Sequence, residues 1–113
     1  MVDFTTYNKN EKRADELQEK YGLSMTLHDL YAWEELTESE VIGIQQYRDR
    51  TYPKYTGDAE SDLKLQEAFE KEFAARNLTE DQLIDYKAKS LYENSCLDLD
   101  EALELQRLRT IKN

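Results

Sequence analysis

Residues 37–58 read TESEVIGIQQYRDRTYPKYTGD and contain the features around which the rest of the chain is arranged. This stretch holds the only proline, two of the three glycines and three of the eight tyrosines. Within it, residues 47–55 (YRDRTYPKY) carry three basic residues against one acidic residue, in a chain whose net charge is −10. The pattern predicts a helix over the first half of the stretch and a basic, tyrosine-rich loop over the second half.

The start of this stretch has the signature of a helix N-terminus. Thr37 is followed three residues later by Glu40, which is the spacing of a capping box. We therefore predict a helix from residue 38 to residue 49 or 50, and Pro53 ends any helix at or before residue 52. Gly43 lies inside this helix at a cost of about 1 kcal/mol relative to alanine, which indicates a close approach by another part of the protein.

Apolar residues recur three and four positions apart along almost the whole chain, which is the period of an α-helix. We expect an all-α, single-domain bundle of five or six short helices that spans residues 1–113, with residues 1–7 as a flexible arm whose Phe4 and Tyr7 fold back onto the body. Cap signals place the other helices at residues 9–21, 27–36, 58–76, 80–93 and 98–111.

The helix predicted over residues 58–76 has the strongest amphipathic pattern. Leu65, Phe69 and Phe73 stand four residues apart and form one apolar stripe. We expect this helix to be the central helix of the core.

One short internal similarity is present. Leu36-Thr37-Glu38 and Leu78-Thr79-Glu80 begin two matching segments that lie 42 positions apart. The match covers only the first turn of each segment, so it predicts two helix starts of the same design and no duplicated domain.

Composition restricts the classes of partner. With 25 acidic and 15 basic residues, the chain repels phosphate groups, which disfavours direct binding to nucleic acid or to an anionic membrane and favours a basic protein partner. The single cysteine, Cys96, has no partner for an internal disulfide, and residues 1–4 lack the basic and apolar regions of a signal peptide. We expect a cytoplasmic protein with no membrane span.

Enzymatic and metal-binding patterns are missing from the sequence. His28 is the only histidine and lies far from Cys96 in the chain, so the sequence does not place a nucleophile beside an activating base. We interpret His28 as a first-turn helix residue near solvent and Cys96 as a small buried apolar group. The chain has no cysteine pair for zinc, no complete calcium loop and no glycine-rich phosphate loop. We therefore expect no enzymatic activity, no catalytic residue, no cofactor and no metal.

Two alternatives to a protein-binding function stay open. Residues 26–47 resemble a DNA-binding helix-turn-helix in the spacing of Leu30, Leu36, Val41 and Ile44. This resemblance implies a transcriptional regulator that uses Arg48, Arg50 and Lys54 on DNA, although the second helix begins with acidic residues. The other alternative is a structural subunit or homo-oligomer without a ligand.

The basic, tyrosine-rich loop is the expected contact surface, because tyrosine and arginine contribute most to protein interfaces. In size, acidity and tyrosine content the chain is similar to small helical proteins of phages and mobile elements that inhibit restriction enzymes or CRISPR nucleases by imitating nucleic acid. That similarity implies an inhibitor or adaptor that engages a basic, nucleic-acid-handling protein. The residues predicted at the contact are Tyr47, Arg48, Arg50, Tyr52, Lys54 and Tyr55.

Overall fold

In the computed structural model of the chain, which describes residues 3–111, six α-helices and one short 3₁₀ turn are joined by short loops, with no strand in this range. This confirms the predicted all-α fold and the helix count. The helices, numbered in chain order, are α1 (Thr5–Tyr21), α2 (Met25–Ala32), α3 (Glu38–Thr51), α4 (Ala59–Ala75), α5 (Tyr86–Glu93) and α6 (Leu99–Ile111). The 3₁₀ turn is Glu80–Gln82.

Helix α3 is at the centre of the core. It packs against α1, α2 and α6, and its own N-terminus has the predicted capping box between Thr37 and Glu40. The largest fully buried side chains in the described part of the chain come from these four helices: Leu17, Leu27, Val41, Ile44 and Leu105. The close approach predicted at Gly43 is a side-chain contact, because a Cβ there would lie 2.6 Å from Cδ1 of Leu108 in α6.

Two predicted N-termini are placed too late in the chain. Helix α1 begins at Thr5, and the rings of Phe4 and Tyr7 pack against Trp33 with centroids 5.5 and 5.3 Å away. Residues 1 and 2 of the predicted arm lie outside the described residues. Helix α2 begins at Met25, two positions before the predicted start at residue 27, because the Ser24 hydroxyl accepts the N–H of Leu27.

The helix predicted over residues 80–93 is wrong in its first half. After the 3₁₀ turn the backbone is extended, and α5 begins at Tyr86. The cause is a tertiary contact with Gln106 of α6. Its Oε1 accepts the N–H groups of Ile84 and Asp85 at 2.6 and 2.8 Å, and its Nε2 donates to the Gln82 carbonyl at 2.9 Å. These bonds satisfy the backbone groups that a continuous helix would have paired.

The prediction that the helix over residues 58–76 is the centre of the core is also wrong. Every residue of α4 is at least partly exposed in the structure, which describes the whole of this helix. Its apolar stripe meets aromatic rings at the end of α3, with Phe69 and Tyr52 centroids 5.7 Å apart. The apolar stripe of α4 therefore packs on an aromatic patch at the edge of the bundle. The core is formed by α1, α2, α3, α5 and α6.

Helices α2 and α3 form a helix pair that α5 and α6 repeat, with equivalent residues 61 positions apart in the sequence. Side-chain caps start the first helix of each pair, at Ser24 and at Asp85. The turn inside each pair contains one non-glycine residue with positive φ, Glu34 at 62° and Ser95 at 63°. In each turn two consecutive N–H groups donate to one carbonyl, that of Leu30 or of its equivalent. The two helix pairs therefore share one backbone design.

The contact between the two helix pairs is reciprocal. Arg48 in α3 pairs with Glu101 at the start of α6, and Arg109 in α6 pairs with Glu40 at the start of α3. Arg48 precedes Arg109 by 61 positions, and Glu40 precedes Glu101 by the same number. A contact in which each partner uses the same residues is the mark of a twofold relation, here between two halves of one chain.

The sequence similarity between the two helix pairs is low. Six of the 27 aligned positions are identical: Leu30/Leu91, Tyr31/Tyr92, Leu36/Leu97, Glu40/Glu101, Gln45/Gln106 and Arg48/Arg109. The matching segments 42 positions apart are not equivalent in the structure, because Thr37 precedes an α-helix and Thr79 precedes a single 3₁₀ turn. The repeat at 61 positions is therefore a feature that the tertiary structure shows and the sequence pattern hides.

Candidate partner-binding surface

The C-terminal end of α3 carries a cluster of tyrosines around one carboxylate. The hydroxyls of Tyr47 and Tyr52 both donate to Oδ2 of Asp100, at 2.9 and 2.7 Å. Arg76, which follows α4, donates from Nη1 to the Tyr47 hydroxyl at 2.9 Å. Burial, followed by the hydrogen bond to Asp100, raises the pKa of Tyr52 well above its ordinary value. Both phenols therefore stay protonated, and the cluster joins α3, α4 and α6.

The arginines of the predicted contact are paired inside the protein. Arg48 pairs with Glu101, and its Nη1 also donates to the Ser24 hydroxyl at 2.9 Å. Arg50 donates to Oε2 of Glu104 at 3.0 Å, a carboxylate that Arg107 shares at 2.6 Å. Burial acts to raise the pKa of Glu104, but the two guanidinium groups outweigh it and lower that pKa. These pairs stabilise the contact between α3 and α6.

The last two residues of the predicted contact, Lys54 and Tyr55, lie exposed in the loop before α4. The Tyr55 side chain donates from its hydroxyl to Gln66 of α4 at 3.2 Å. Thr56 and Gly57 donate their N–H groups to the carboxylate of Asp62, at 2.7 and 3.0 Å. The loop is therefore bound to the first turns of α4 and sets the position of that helix.

The structure thus divides the six predicted contact residues. Five of them take part in hydrogen bonds or ion pairs within the described chain, namely Tyr47, Arg48, Arg50, Tyr52 and Tyr55, while Arg50, Lys54 and Tyr55 are exposed. Whether any of the six contacts a partner stays a prediction. The internal partners that sequence reasoning missed are Asp100, Glu101 and Glu104. Their only sequence signal is their position in the first turns of the helix predicted over residues 98–111.

A cleft of about 340 Å³ lies between the end of α3 and the inner side of α4. Guanidinium groups stand over aromatic rings on its walls: Arg50 lies 5.4 Å from the Tyr47 ring centroid, and Arg76 lies 5.6 Å from that of Phe73. The lining residues are Tyr47, Arg50, Thr51, Phe69, Glu72, Phe73 and Arg76. Such a surface of rings and arginines is typical of protein interfaces.

The outer side of α4 is charged and open to solvent. Helix α4 carries five acidic residues and two lysines, which gives a net charge of −3. Its Leu63 side chain is 60 % exposed. A two-sided helix of this kind presents carboxylates outward while its aromatic stripe lies on the tyrosine cluster.

His28 is buried, which contradicts the prediction that it lies near solvent. Its exposed fraction is 3 %, and its Nε2 and Nδ1 lie 2.7 and 3.0 Å from carboxylate oxygens of Asp15 and Asp29. Burial lowers the pKa of His28, but hydrogen bonds to Asp29 and Asp15 outweigh this effect and raise the pKa above 6.5. Because each ring nitrogen faces a carboxylate oxygen, this geometry favours the protonated ring, in which both nitrogens donate. Cys96, predicted to be buried, is half-buried.

Within residues 3–111, no group of three or more histidine, cysteine, aspartate or glutamate side chains is arranged to hold a metal ion. No helix in this range is long and apolar enough to cross a membrane. Comparison of the chain with protein-family models, with curated proteins and with solved structures gives no match.

Proposed function

We propose that this protein is a non-enzymatic interaction module, an inhibitor or adaptor of the cytoplasm, that engages a basic, nucleic-acid-handling protein through α4. The observation that carries the proposal is the length, charge and exposure of this helix. It is 17 residues long, bears a net charge of −3 and leaves every residue at least partly exposed. A helix of that length outside the core gains little stability from packing within the chain, and a partner that covers it would stabilise it.

The charge of the chain supports a basic partner. A net charge of −10 accelerates association with a positively charged surface, and regularly spaced carboxylates on helices can occupy a site built for phosphate. Lys54 and Tyr55 beside the first turn of α4 extend the same surface. In this proposal Tyr47, Arg48, Arg50 and Tyr52 hold α3, α4 and α6 together behind it.

The pairing of the arginines favours this proposal over a DNA-binding regulator. Arg48 and Arg50 donate to carboxylates of α6, so contact with phosphate would first have to break these pairs. A gel-shift assay of the intact chain with duplex DNA at low salt is the direct comparison. Binding there would favour the regulator.

The test is a panel of purified nucleic-acid-binding proteins screened against the intact chain at low and high salt. A partner bound through α4 loses affinity with salt, is displaced by duplex DNA, and loses at least about tenfold in affinity with Glu60→Lys/Glu67→Lys. The matched control is Glu11→Lys/Glu19→Lys, which makes the same charge change on the exposed side of α1. Equal losses for the two variants, or binding that does not respond to salt, would reject α4 as the contact.

A further inference from the structure

We propose that the outer face of α5 binds α4 of a second copy of this chain, so that two chains form a symmetric dimer. The dimer goes beyond the proposed function and competes with it, because a second copy and a basic partner would both cover the outer side of α4, so the partner binds the monomer. Dimerisation is measured on the purified protein alone. The internal repeat points to this contact. In the first helix pair the outer face of α2 is covered, whereas in the second helix pair the equivalent face of α5 is exposed.

In the first half of the chain, α1 covers the outer face of α2. Asp15 of α1 binds the His28 ring at 2.7 Å, and Asn10 donates from Nδ2 to the Ala32 carbonyl at 3.0 Å. Leu23, the residue just before the cap of α2, is 4 % exposed under this cover. Ala32 has no exposed surface. The face of α2 therefore binds a helix with an apolar stripe and a neighbouring carboxylate.

The equivalent face of α5 has no such cover among residues 3–111 of its own chain. Ile84, which stands just before the cap of α5 as Leu23 stands before that of α2, is 85 % exposed. Lys89 and Glu93, the equivalents of His28 and Ala32, are exposed as well. They line a groove of about 270 Å³ together with Tyr86 and Ser90.

The order of the helices identifies the occupant. Helix α1 precedes the first helix pair and α4 precedes the second, and both helices are 17 residues long. Yet α4 lies at the end of α3, so its outer side, with Leu63 at 60 % exposure, is free to meet another chain.

Charge and polarity match across the proposed contact. Leu63 and Glu70 are seven residues apart, so they lie on the same side of α4. On that side, Leu63 meets Ile84 and the Glu70 carboxylate meets Lys89. Lys89 is the equivalent of His28, which pairs with Asp15 in the first half of the chain. With α4 of each chain on α5 of the other, the contact is closed and repeats twice.

Sedimentation velocity of the intact chain from micromolar to millimolar concentration tests the dimer. We expect a monomer–dimer equilibrium that Ile84→Asp weakens at least about tenfold. The matched control is Met25→Asp, an exposed apolar residue at the start of α2 whose exposed fraction is 61 %. This control leaves the dimer unchanged. A monomer at every concentration, or a dimer unaffected by Ile84→Asp, overturns the proposal.

Charge reversal tests the pairing of the two helices. Lys89→Glu alone and Glu70→Lys alone each place like charges together and weaken the dimer. The double variant restores opposite charges and recovers most of the lost affinity. Circular dichroism verifies that each variant keeps its helical content. Single reversals without effect, or a double variant as weak as either single one, would place the dimer contact elsewhere and overturn the assignment of α4 to α5.

Discussion

Substitution of Arg48 with methionine tests the ion pair that joins α3 to α6. The Arg48 side chain is 19 % exposed, and that of its partner Glu101 is 4 % exposed. One oxygen of Glu101 accepts the N–H of Asp98 at 3.0 Å, and the other faces the guanidinium group. Methionine keeps the apolar stem of the arginine in place but removes the cation, so a buried carboxylate oxygen loses its partner.

The expected cost is large for a single substitution. Removal of one member of a buried ion pair destabilises a protein by about 3–5 kcal/mol, because the remaining charge stays away from water. Since part of the Arg48 side chain is exposed, some water reaches the freed carboxylate, and we expect about 3 kcal/mol. With a urea dependence of about 1–3 kcal/mol per molar, the midpoint of unfolding falls by about 1–3 M.

Two further variants make this prediction refutable. Lys64→Met removes an exposed pair in α4, with 3.9 Å between Lys64 Nζ and Glu60 Oε1, and costs less than about 0.5 kcal/mol. Glu101→Gln in the Arg48→Met background removes the buried charge but keeps an acceptor for the Asp98 N–H, and recovers at least about 1 kcal/mol. If Arg48→Met costs no more than Lys64→Met, or if Glu101→Gln recovers nothing, the reasoning about the buried pair is refuted.

Three further predictions concern the packing of α1 against α2 and of α3 against α6. Because the pKa of His28 is raised, its contribution to the free energy of unfolding is fully present below pH 6.5 and is lost as the pH rises through the folded-state pKa. The stability difference between the wild type and His28→Gln, measured by urea unfolding, therefore shrinks toward high pH; a constant difference would contradict a charged ring. Gly43→Leu forces the new side chain into Leu108 and lowers the free energy of unfolding by about 1–3 kcal/mol, despite better helix propensity; thermal unfolding measures it, and an unchanged midpoint would contradict close packing. Asn10→Ala removes the donor to the C-terminal end of α2 and costs about 1 kcal/mol by urea unfolding; no loss would mean that water replaces the amide.

Sequence reasoning predicted the helices themselves well, because their signals are local. The capping box at Thr37 and Glu40 starts α3 where its spacing predicts, and Asp58 caps α4. Asn77, with φ 50°, takes a left-handed conformation just after the end of α4, which a residue of its type adopts readily. Each of these features depends on groups within one helical turn, so residues close together in the chain determine them.

Two of the errors have a different cause, which is contact between residues far apart in the chain. The break before α5 depends on Gln106, more than 20 positions away, which satisfies backbone groups that local signals assign to a helix. The burial of His28 depends on Asp15 of another helix. Neither distant residue carries a signal that identifies its partner.

The candidate partner-binding surface also combines features that the sequence predicts with contacts that only the structure shows. Composition and the run of tyrosines and arginines pointed to residues 47–55 as unusual. The assignment of Arg48 and Arg50 to carboxylates of α6 required the two helices to be seen side by side. An arginine has the same sequence signature whether it faces a partner or a buried glutamate.

Helix caps and apolar spacing act over three or four residues, so the acidic, all-helical character of the chain and most of its helix boundaries follow from the sequence. Which helices form the core depends on contacts between distant residues and is visible in the three-dimensional arrangement alone. The amphipathic stripe of α4 was the strongest in the sequence, yet the structure places it on Tyr52 at the edge of the bundle. An apolar stripe shows that one face of a helix is to be covered, but the positions of all the other helices determine which surface covers it. For the same reason, the open face of α5 became visible only by comparison with the equivalent face of α2.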